Sequence, residues 1–84
     1  MNVSFTENAW QDYLYWQKTD KKTVKRIHEL IRDIKRSPFE GIGKPEGLKY
    51  DLAGKWSRRI DEEHRLVYQM EEDHLIIYTC RYHY

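Results

Sequence analysis

Cysteine is nearly absent from this sequence, which has only Cys80 among its 84 residues. A single cysteine excludes a disulfide bond within the chain, so we expect a reducing compartment. Cys80 closes an apolar run that begins at Leu75, and nothing nearby in the sequence favours a reactive thiolate. We therefore predict that Cys80 is a small core residue and not a nucleophile.

Long apolar runs are also missing from the sequence. No stretch approaches the roughly 20 apolar residues that a helix needs to cross a bilayer. Residues 1–4 do not resemble the start of a signal peptide. We therefore expect a cytoplasmic protein with no membrane partner.

The sequence carries almost no net charge, because 15 Lys and Arg residues stand against 14 Asp and Glu residues. Net charge alone therefore gives no indication of nucleic-acid binding. Between positions 44 and 65, however, basic and acidic residues are interleaved, and the strands must separate the two signs onto different faces to make a basic surface. The basic residues of this segment are Lys44, Lys49, Lys55, Arg58, Arg59 and Arg65.

Proline and glycine are few, and most of them lie together. Both prolines and three of the four glycines fall between positions 38 and 47. This clustering predicts a loop at 39–47, between a helical half of the chain and a half with strand-like alternation.

The first half predicts a short strand at 3–5 followed by an antiparallel pair of helices. Thr6 is a suitable N-cap for a first helix that ends near Lys18, and Asp20 can cap a second helix. Ser37 precedes a proline, which ends that helix. The predicted apolar face is Trp10, Tyr13, Leu14 and Gln17 on the first helix, and Val24, Ile27, Leu30, Ile31 and Ile34 on the second.

The second half alternates with a period of two, which is typical of strands. Strands are predicted at 48–52, 56–60, 65–70 and 75–82, and acidic turns at 62–63 and 71–73 join the later ones. Helices followed by an antiparallel sheet predict the α+β class, in one domain that spans residues 1–84.

Four residues of the second half could perform chemistry together. Arg65 is predicted on the open face of its strand, where a guanidinium suits a phosphate, although it could instead pair with an acid such as Asp61. Glu46 and Lys49 could meet one phosphodiester, unless Glu46 is simply a solvated loop acid. His83 can exchange a proton near neutral pH if the tail is held against the sheet, or it belongs to a solvated tail.

Glu46, Lys49, Arg65 and His83 on one sheet face would suit RNA cleavage. RNA supplies its own nucleophile, the 2′-hydroxyl, and needs a base, cations for the phosphorane charge and an acid for the leaving oxygen. No metal or cofactor is predicted, since the sequence has no cysteine pair and no phosphate-binding glycine loop. Strand alternation separates Glu63 from its neighbour His64, and His28 and His74 are expected at the surface.

Five stretches of the sequence carry a resemblance to a known family. They are DYLYWQ at 12–17, SPFEG at 37–41, WSRRI at 56–60, EHRLVY at 63–68 and CRYHY at 80–84. Over its whole length the chain resembles the YoeB-type toxins of bacterial toxin–antitoxin systems, in the RelE/ParE superfamily. The resemblance implies a ribosome-dependent endoribonuclease that cleaves mRNA in the ribosomal A site and is neutralised by a YefM-type antitoxin. It also implies a microbial-ribonuclease-like fold, with two helices on a twisted antiparallel sheet, and a homodimer with Trp10 or Tyr15 near an interface.

The resemblance further assigns roles to individual residues. It implies that Glu46 is the general base, His83 the general acid and Arg65 the stabiliser of the transition state. Lys49 would be a supporting cation, and Tyr84 would orient the substrate or His83.

Two more basic residues, Lys44 and Arg59, are predicted to bind substrate. Gly47 departs from the family pattern, where a familiar member has proline, and its freedom could loosen the loop that carries Glu46. A near-zero net charge suits a nuclease to which the ribosome presents the message.

Two other functions stay open from the sequence. A ParE-like toxin on the same fold would bind a topoisomerase without cutting RNA, although Glu46 and the terminal His83 and Tyr84 argue against a pure binding module. A DNA-binding partner protein is the second alternative, but no recognition helix is evident.

Overall fold

Two helices and five strands make up the computed structural model, which describes residues 1–82. His83 and Tyr84, and with them the predicted acid and its orienting group, lie outside the described residues. The elements in chain order are β1 (Asn2–Phe5), α1 (Glu7–Thr19), α2 (Lys21–Arg36), β2 (Glu46–Gly47), a 3₁₀ turn (Tyr50–Leu52), β3 (Trp56–Arg59), β4 (Arg65–Glu71) and β5 (His74–Thr79).

The strands form one sheet in the order β1-β5-β4-β3-β2, with the helices on one face. The predicted α+β class with two N-terminal helices is confirmed. The sheet is mixed, however, because β1 runs parallel to β5 while the other pairs are antiparallel. No hairpin joins β1 to β5, so their relative direction could not be predicted from a turn.

Both predicted helix caps are confirmed. The Thr6 side-chain oxygen accepts a hydrogen bond from the Ala9 amide and donates one to the Tyr78 carbonyl, which also ties the start of α1 to β5. Asp20 accepts from the amides of Lys22 and Thr23, and the hydrogen bond from the Thr23 side chain is the largest influence lowering its pKa. The helices therefore begin where the sequence predicts them.

The buried face of α2 agrees with the prediction and that of α1 does not. Ile27, Leu30 and Ile34 are fully buried. On α1 the buried residues are Ala9 and Trp16, whereas the predicted face is half-buried or exposed, with Trp10 44% exposed. Aromatic residues lie on two faces of α1, and either face could be buried. The face with Trp16 is buried because its indole N–H also donates to the buried carbonyl of Cys80.

The predicted strand at 48–52 is wrong. Residues Tyr50–Leu52 form a 3₁₀ turn, and Tyr50 has a φ of +58°, which no strand residue adopts. The Leu48 amide donates to the Lys55 carbonyl and so closes the loop around this turn. The last strand is also shorter than predicted, because β5 ends at Thr79. None of the helices within residues 1–82 is long and apolar enough to cross a bilayer.

Arg58 is the most unusual residue of the core, because its guanidinium is completely buried beneath the helices. The sequence grouped it with the basic surface residues, and that grouping is wrong. All five of its N–H groups donate to acceptors, and we call this set of hydrogen bonds the Arg58 hub. The acceptors are the Asp33 carboxylate at 2.5 Å, the Tyr68 hydroxyl at 3.2 Å and the carbonyls of Ser37, Glu40 and Ile42 at 2.6, 2.9 and 3.1 Å.

The side chains that accept from Arg58 have further hydrogen bonds of their own. Asp33 also accepts from the Ile42 amide and from the exposed Arg36. The amide of Ile42, followed by the Arg58 guanidinium, lowers the pKa of Asp33 to about 2. The Tyr68 hydroxyl donates to the Pro38 carbonyl, and burial raises its pKa. The hub thereby fixes the loop that follows α2 against β3 and β4.

Replacing Arg58 tests this assignment. Arg58→Met keeps an apolar stem but removes the hydrogen bonds that Arg58 donates to three carbonyls and its ion pair with the Asp33 carboxylate, so we expect it to destabilise the fold by about 3–5 kcal/mol. Arg59→Met, on the exposed neighbour in the same strand, should change the free energy of unfolding by about 0.5 kcal/mol or less. Urea denaturation of both variants measures the difference, and equal midpoints would contradict a structural role for Arg58.

The depressed pKa of Asp33 predicts a pH dependence of stability. A carboxyl whose folded pKa lies at about 2, below its ordinary value of 3.8, stabilises the fold above about pH 4 and loses that contribution as the pH falls towards 2. The stability difference between the natural chain and Asp33→Asn should therefore shrink over this range. Asp51→Asn, which removes an exposed carboxylate, controls for the change in net charge. A gap that stays constant down to pH 2 would show that the hub does not depend on ionised Asp33.

Candidate active site

The open face of the sheet, opposite the helices, brings together three of the residues predicted for the site. Glu46 in β2 pairs with Ser57 in β3, and Arg59 in β3 pairs with Arg65 in β4. Paired residues of antiparallel strands share a face, and Arg58, which lies between Ser57 and Arg59, points into the core. Glu46, Arg59 and Arg65 therefore project from the same side of the sheet.

Glu46 and Lys49 line one shallow cleft of about 380 Å³. Both residues are exposed, and Leu48, Tyr50 and Leu52 also line the cleft. Their common cleft is consistent with the prediction that Glu46 and Lys49 could meet one phosphodiester. Lys49, however, precedes a 3₁₀ turn instead of starting a strand.

The loop before Glu46 is fixed by the backbone. The Arg58 hub holds positions 37–42, and the Arg59 amide donates to the Gly43 carbonyl at 2.6 Å. Gly43 has a φ of +78°, and a Cβ there would lie 2.9 Å from Leu30 and 3.1 Å from the Arg59 carbonyl, so a side chain would force the loop off β3. Lys44 follows it and is exposed. Gly47 pairs with Trp56 in the sheet, which limits the loosening expected of a glycine.

Arg65 is oriented by the carbonyls of its own hairpin. Its Nη1 atom donates to the carbonyls of Asp61, Glu62 and His64 at 2.9, 3.3 and 3.2 Å. The alternative, pairing with the Asp61 carboxylate, is not observed, since that carboxylate accepts from the amides of Glu63 and His64. Backbone dipoles thus fix the guanidinium, and no carboxylate of residues 1–82 forms an ion pair with it.

The segment after β5 is held against α1, and its contact with the sheet, which the sequence predicted for the tail, is made by Tyr82. One oxygen of Asp12 accepts from the Thr79 hydroxyl at 2.9 Å and from the Cys80 amide at 3.0 Å. The Trp16 indole donates to the Cys80 carbonyl at 2.8 Å. The Arg81 guanidinium lies 3.4 Å from the centre of the Tyr15 ring, a cation–π contact.

Tyr82 is bound on both sides of its backbone by two consecutive residues. Its amide donates to His64 Nδ1 at 2.7 Å, and its carbonyl accepts from the Arg65 amide at 3.0 Å. We call this pair of hydrogen bonds the Tyr82 clamp. The clamp places the end of the described chain beside Arg65, at the start of β4.

Three residues that build this arrangement escaped the sequence analysis: Asp12, Trp16 and His64. Strand alternation gave no reason to connect His64 with a segment 18 residues away. The signal available was the Trp16 and Asp12 spacing of one helical turn, which places a hydrogen-bond donor and acceptor on one face of α1.

The other reactive side chains do not join the site. Burial raises the pKa of the Cys80 thiol to about 12, and the residue is fully buried, which confirms it as a core residue. His28 is exposed, as predicted, and bonds the Tyr13 hydroxyl at 2.7 Å. His74 is half-buried beside Ser4. Within residues 1–82, no cluster of three His, Cys, Asp or Glu side chains is placed to hold a metal ion.

The chemistry available at the open face is acid–base and electrostatic. A solvated carboxylate can accept a proton, and the fixed guanidinium of Arg65 can stabilise a phosphate whose charge grows during a reaction. Arg59 adds positive charge on the same side of the sheet as Glu46, and Lys49 adds it in the cleft that Glu46 lines.

Known proteins are similar to this chain in sequence and in fold. Residues 5–84 match the family model described as the YoeB-like toxin of bacterial type II toxin–antitoxin systems. The chain is 62% identical to Toxin YoeB of Escherichia coli strain K12 over the full length of both. Two solved structures from Staphylococcus aureus are each 52% identical, with all of this chain and 98% of that chain covered. They are a heterotetrameric YoeB–YefM toxin–antitoxin complex, with a TM-score of 0.93, and a YoeB dimer, with a TM-score of 0.94.

Proposed function

The chain belongs to the YoeB-like toxins of bacterial type II toxin–antitoxin systems, and from this we propose that it is a ribosome-dependent endoribonuclease. It cleaves mRNA in the ribosomal A site by attack of the 2′-hydroxyl on the adjacent phosphodiester. The observation that supports the proposal is the shared open face of Glu46, Arg59 and Arg65. Residues 80–82, which we call the C-terminal segment, are fixed beside this face by the Tyr82 clamp.

Glu46 is the proposed general base. Its carboxylate is exposed beside Lys49, so RNA can reach it, and the Arg58 hub fixes the loop before it. A carboxylate within hydrogen-bond distance of the 2′-hydroxyl would take its proton as the oxygen attacks phosphorus. Lys49 and Lys44 would bind the neighbouring phosphates.

Arg65 is the proposed stabiliser of the phosphorane. Three backbone carbonyls hold its Nη1 atom, so little reorganisation is required when charge develops on the phosphate oxygens. Arg59 faces the same side one strand away and is proposed to bind the substrate backbone.

His83 is the proposed general acid and Tyr84 the group that orients it or the substrate. The Tyr82 clamp holds the residue that precedes His83 in the chain beside Arg65. The 2′-hydroxyl is an internal nucleophile, so a base, an acid and fixed cations suffice, and the proposed reaction needs no metal or cofactor.

The proposed partners are a YefM-type antitoxin, a second copy of the chain and the bacterial ribosome. The Staphylococcus aureus relatives are described as a YoeB–YefM heterotetramer and as a YoeB dimer, which supports the first two. The third accords with the net charge of only +1, because a message presented by the ribosome need not be captured by phosphate attraction alone. A ribosomal target also places the protein in the cytoplasm.

Replacing the proposed base tests the function. Glu46→Gln should leave the fold intact and slow cleavage by roughly 10²–10⁴-fold, since the amide cannot accept the proton. Glu71→Gln, which alters an exposed glutamate at the far end of β4, should cleave at the natural rate. Primer extension on mRNA from a cell-free bacterial translation reaction maps the breaks and their rates.

The same assay without ribosomes separates the proposal from its alternatives. Breaks at A-site codons that need both the natural chain and ribosomes support the proposal. Intact message in the presence of folded protein would overturn it, and binding to a topoisomerase, as in ParE-like toxins, would then be measured directly.

The proposed acid predicts the effect of a short truncation. Deleting His83 and Tyr84 should abolish cleavage, because no other group on the described segment is proposed to protonate the 5′-oxygen. The melting temperature should change little, since the Tyr82 clamp and the Asp12 contacts precede the deletion. Full activity of a folded truncated chain would remove His83 from the mechanism.

A further inference from the structure

His64 is a buried imidazole that the proposed chemistry does not use. The residue is only 9% exposed, and its ring meets Trp16 edge-on with the centroids 4.8 Å apart. The His64 amide and carbonyl are bonded within the hairpin, to the Asp61 carboxylate and the Ile60 amide. Contacts outside the C-terminal segment therefore hold both the backbone and the ring.

The free nitrogen of this fixed ring faces the C-terminal segment. His64 Nδ1 accepts the Tyr82 amide at 2.7 Å, so in this arrangement Nδ1 carries no proton and the neutral ring holds its hydrogen on Nε2. The hydrogen bond secures a residue with a φ of +64°, a conformation that a tyrosine rarely adopts unaided. A protonated ring would oppose one N–H to another at this distance.

We infer that His64 is a positioning residue for the C-terminal segment, which it holds only while its imidazole is neutral. This inference rests on the proposed function in one respect, because the proposed acid, His83, follows this segment in the chain. The neutral ring keeps Tyr82 against β4, beside Arg65, and uptake of a proton at Nδ1 breaks the contact.

Charged groups of both signs surround the ring. Glu63 is the nearest, with Oε1 3.6 Å from Nε2. Arg65 follows His64 in the chain, and Arg81 lies in the docked segment, where it stacks on Tyr15. Among residues 1–82, the other titratable groups on the elements packed against the ring include Asp12, Tyr15, Asp61 and Tyr82.

Two substitutions separate the acceptor atom from the bulk of the ring. The Oδ1 atom of asparagine occupies nearly the same place relative to the backbone as Nδ1 of histidine and does not take up a proton near neutral pH, so His64→Asn keeps the acceptor. His64→Phe keeps a ring against Trp16 and removes the acceptor. A residue that acted only by packing would tolerate phenylalanine better than asparagine.

The test is hydrogen exchange of the Tyr82 and Arg65 amides in the full chain, without RNA, between about pH 5 and about pH 8, where histidine titrates. In the natural chain their protection should fall on the acidic side of this range. His64→Asn should keep its protection throughout, and His64→Phe should lose about tenfold at every pH. Amides in the middle of β4 report whether each variant is folded.

The outcomes decide the inference separately from the nuclease proposal. Equal protection in His64→Phe and the natural chain, or a loss in His64→Asn that follows the same pH dependence, would overturn it. Should His64→Phe fail to fold, the comparison of asparagine with histidine across pH still decides. If exchange behaves as expected but the natural chain cleaves no message on ribosomes, the proposed function falls and the positioning role of His64 stands.

Discussion

The rest of this structure depends on the hydrogen bonds of one buried guanidinium, that of Arg58. Arg58 leaves water entirely, which is tolerated only because all five of its N–H groups find acceptors and one of these is the ionised Asp33. Three acceptors are carbonyls of the loop after α2. The loop therefore takes its shape around a charge in the core, and the position of Glu46 follows from that shape. A small chain with few core positions thus uses the hydrogen bonds of one buried side chain to join helix, loop and sheet.

The two sides of the candidate site are fixed independently and meet on β3 and β4. The Arg58 hub determines the approach to Glu46, and the Tyr82 clamp brings the C-terminal segment to Arg65. Neither arrangement uses the charges of the open face for its own stability. Arg65 is held by carbonyls, and Glu46 and Lys49 remain solvated at the surface. The charged side chains are consequently available to a substrate instead of being neutralised by one another.

The sequence predicted the parts of the fold that local rules determine. The caps at Thr6 and Asp20 and the stripe on α2 follow from spacing and hydrogen-bond chemistry, and both are observed. The burial of Arg58 could not be predicted, because alternation assigns it to a face but does not reveal that Asp33, 25 residues earlier, lies opposite. Residue chemistry brought Glu46, Lys49, Arg65 and His83 together, and resemblance to a family assigned their roles. The geometry adds how Glu46 and Arg65 come to share a face. His64 gave no signal because its partner is a backbone amide, which every residue but proline carries.

Protonation bears on the site and on the fold at different acidities. The Tyr82 clamp requires a neutral imidazole, whereas the Arg58 hub requires an ionised carboxyl with a pKa near 2. Histidine takes up a proton at a higher pH than a carboxyl does. The two arrangements therefore require opposite protonation states, a neutral base in the clamp and an ionised acid in the hub. The contacts that dock residues 80–82 are also separate from those that bury Arg58. Release of this segment, as inferred for a protonated His64, would leave the core closed, because the Arg58 hub does not involve it.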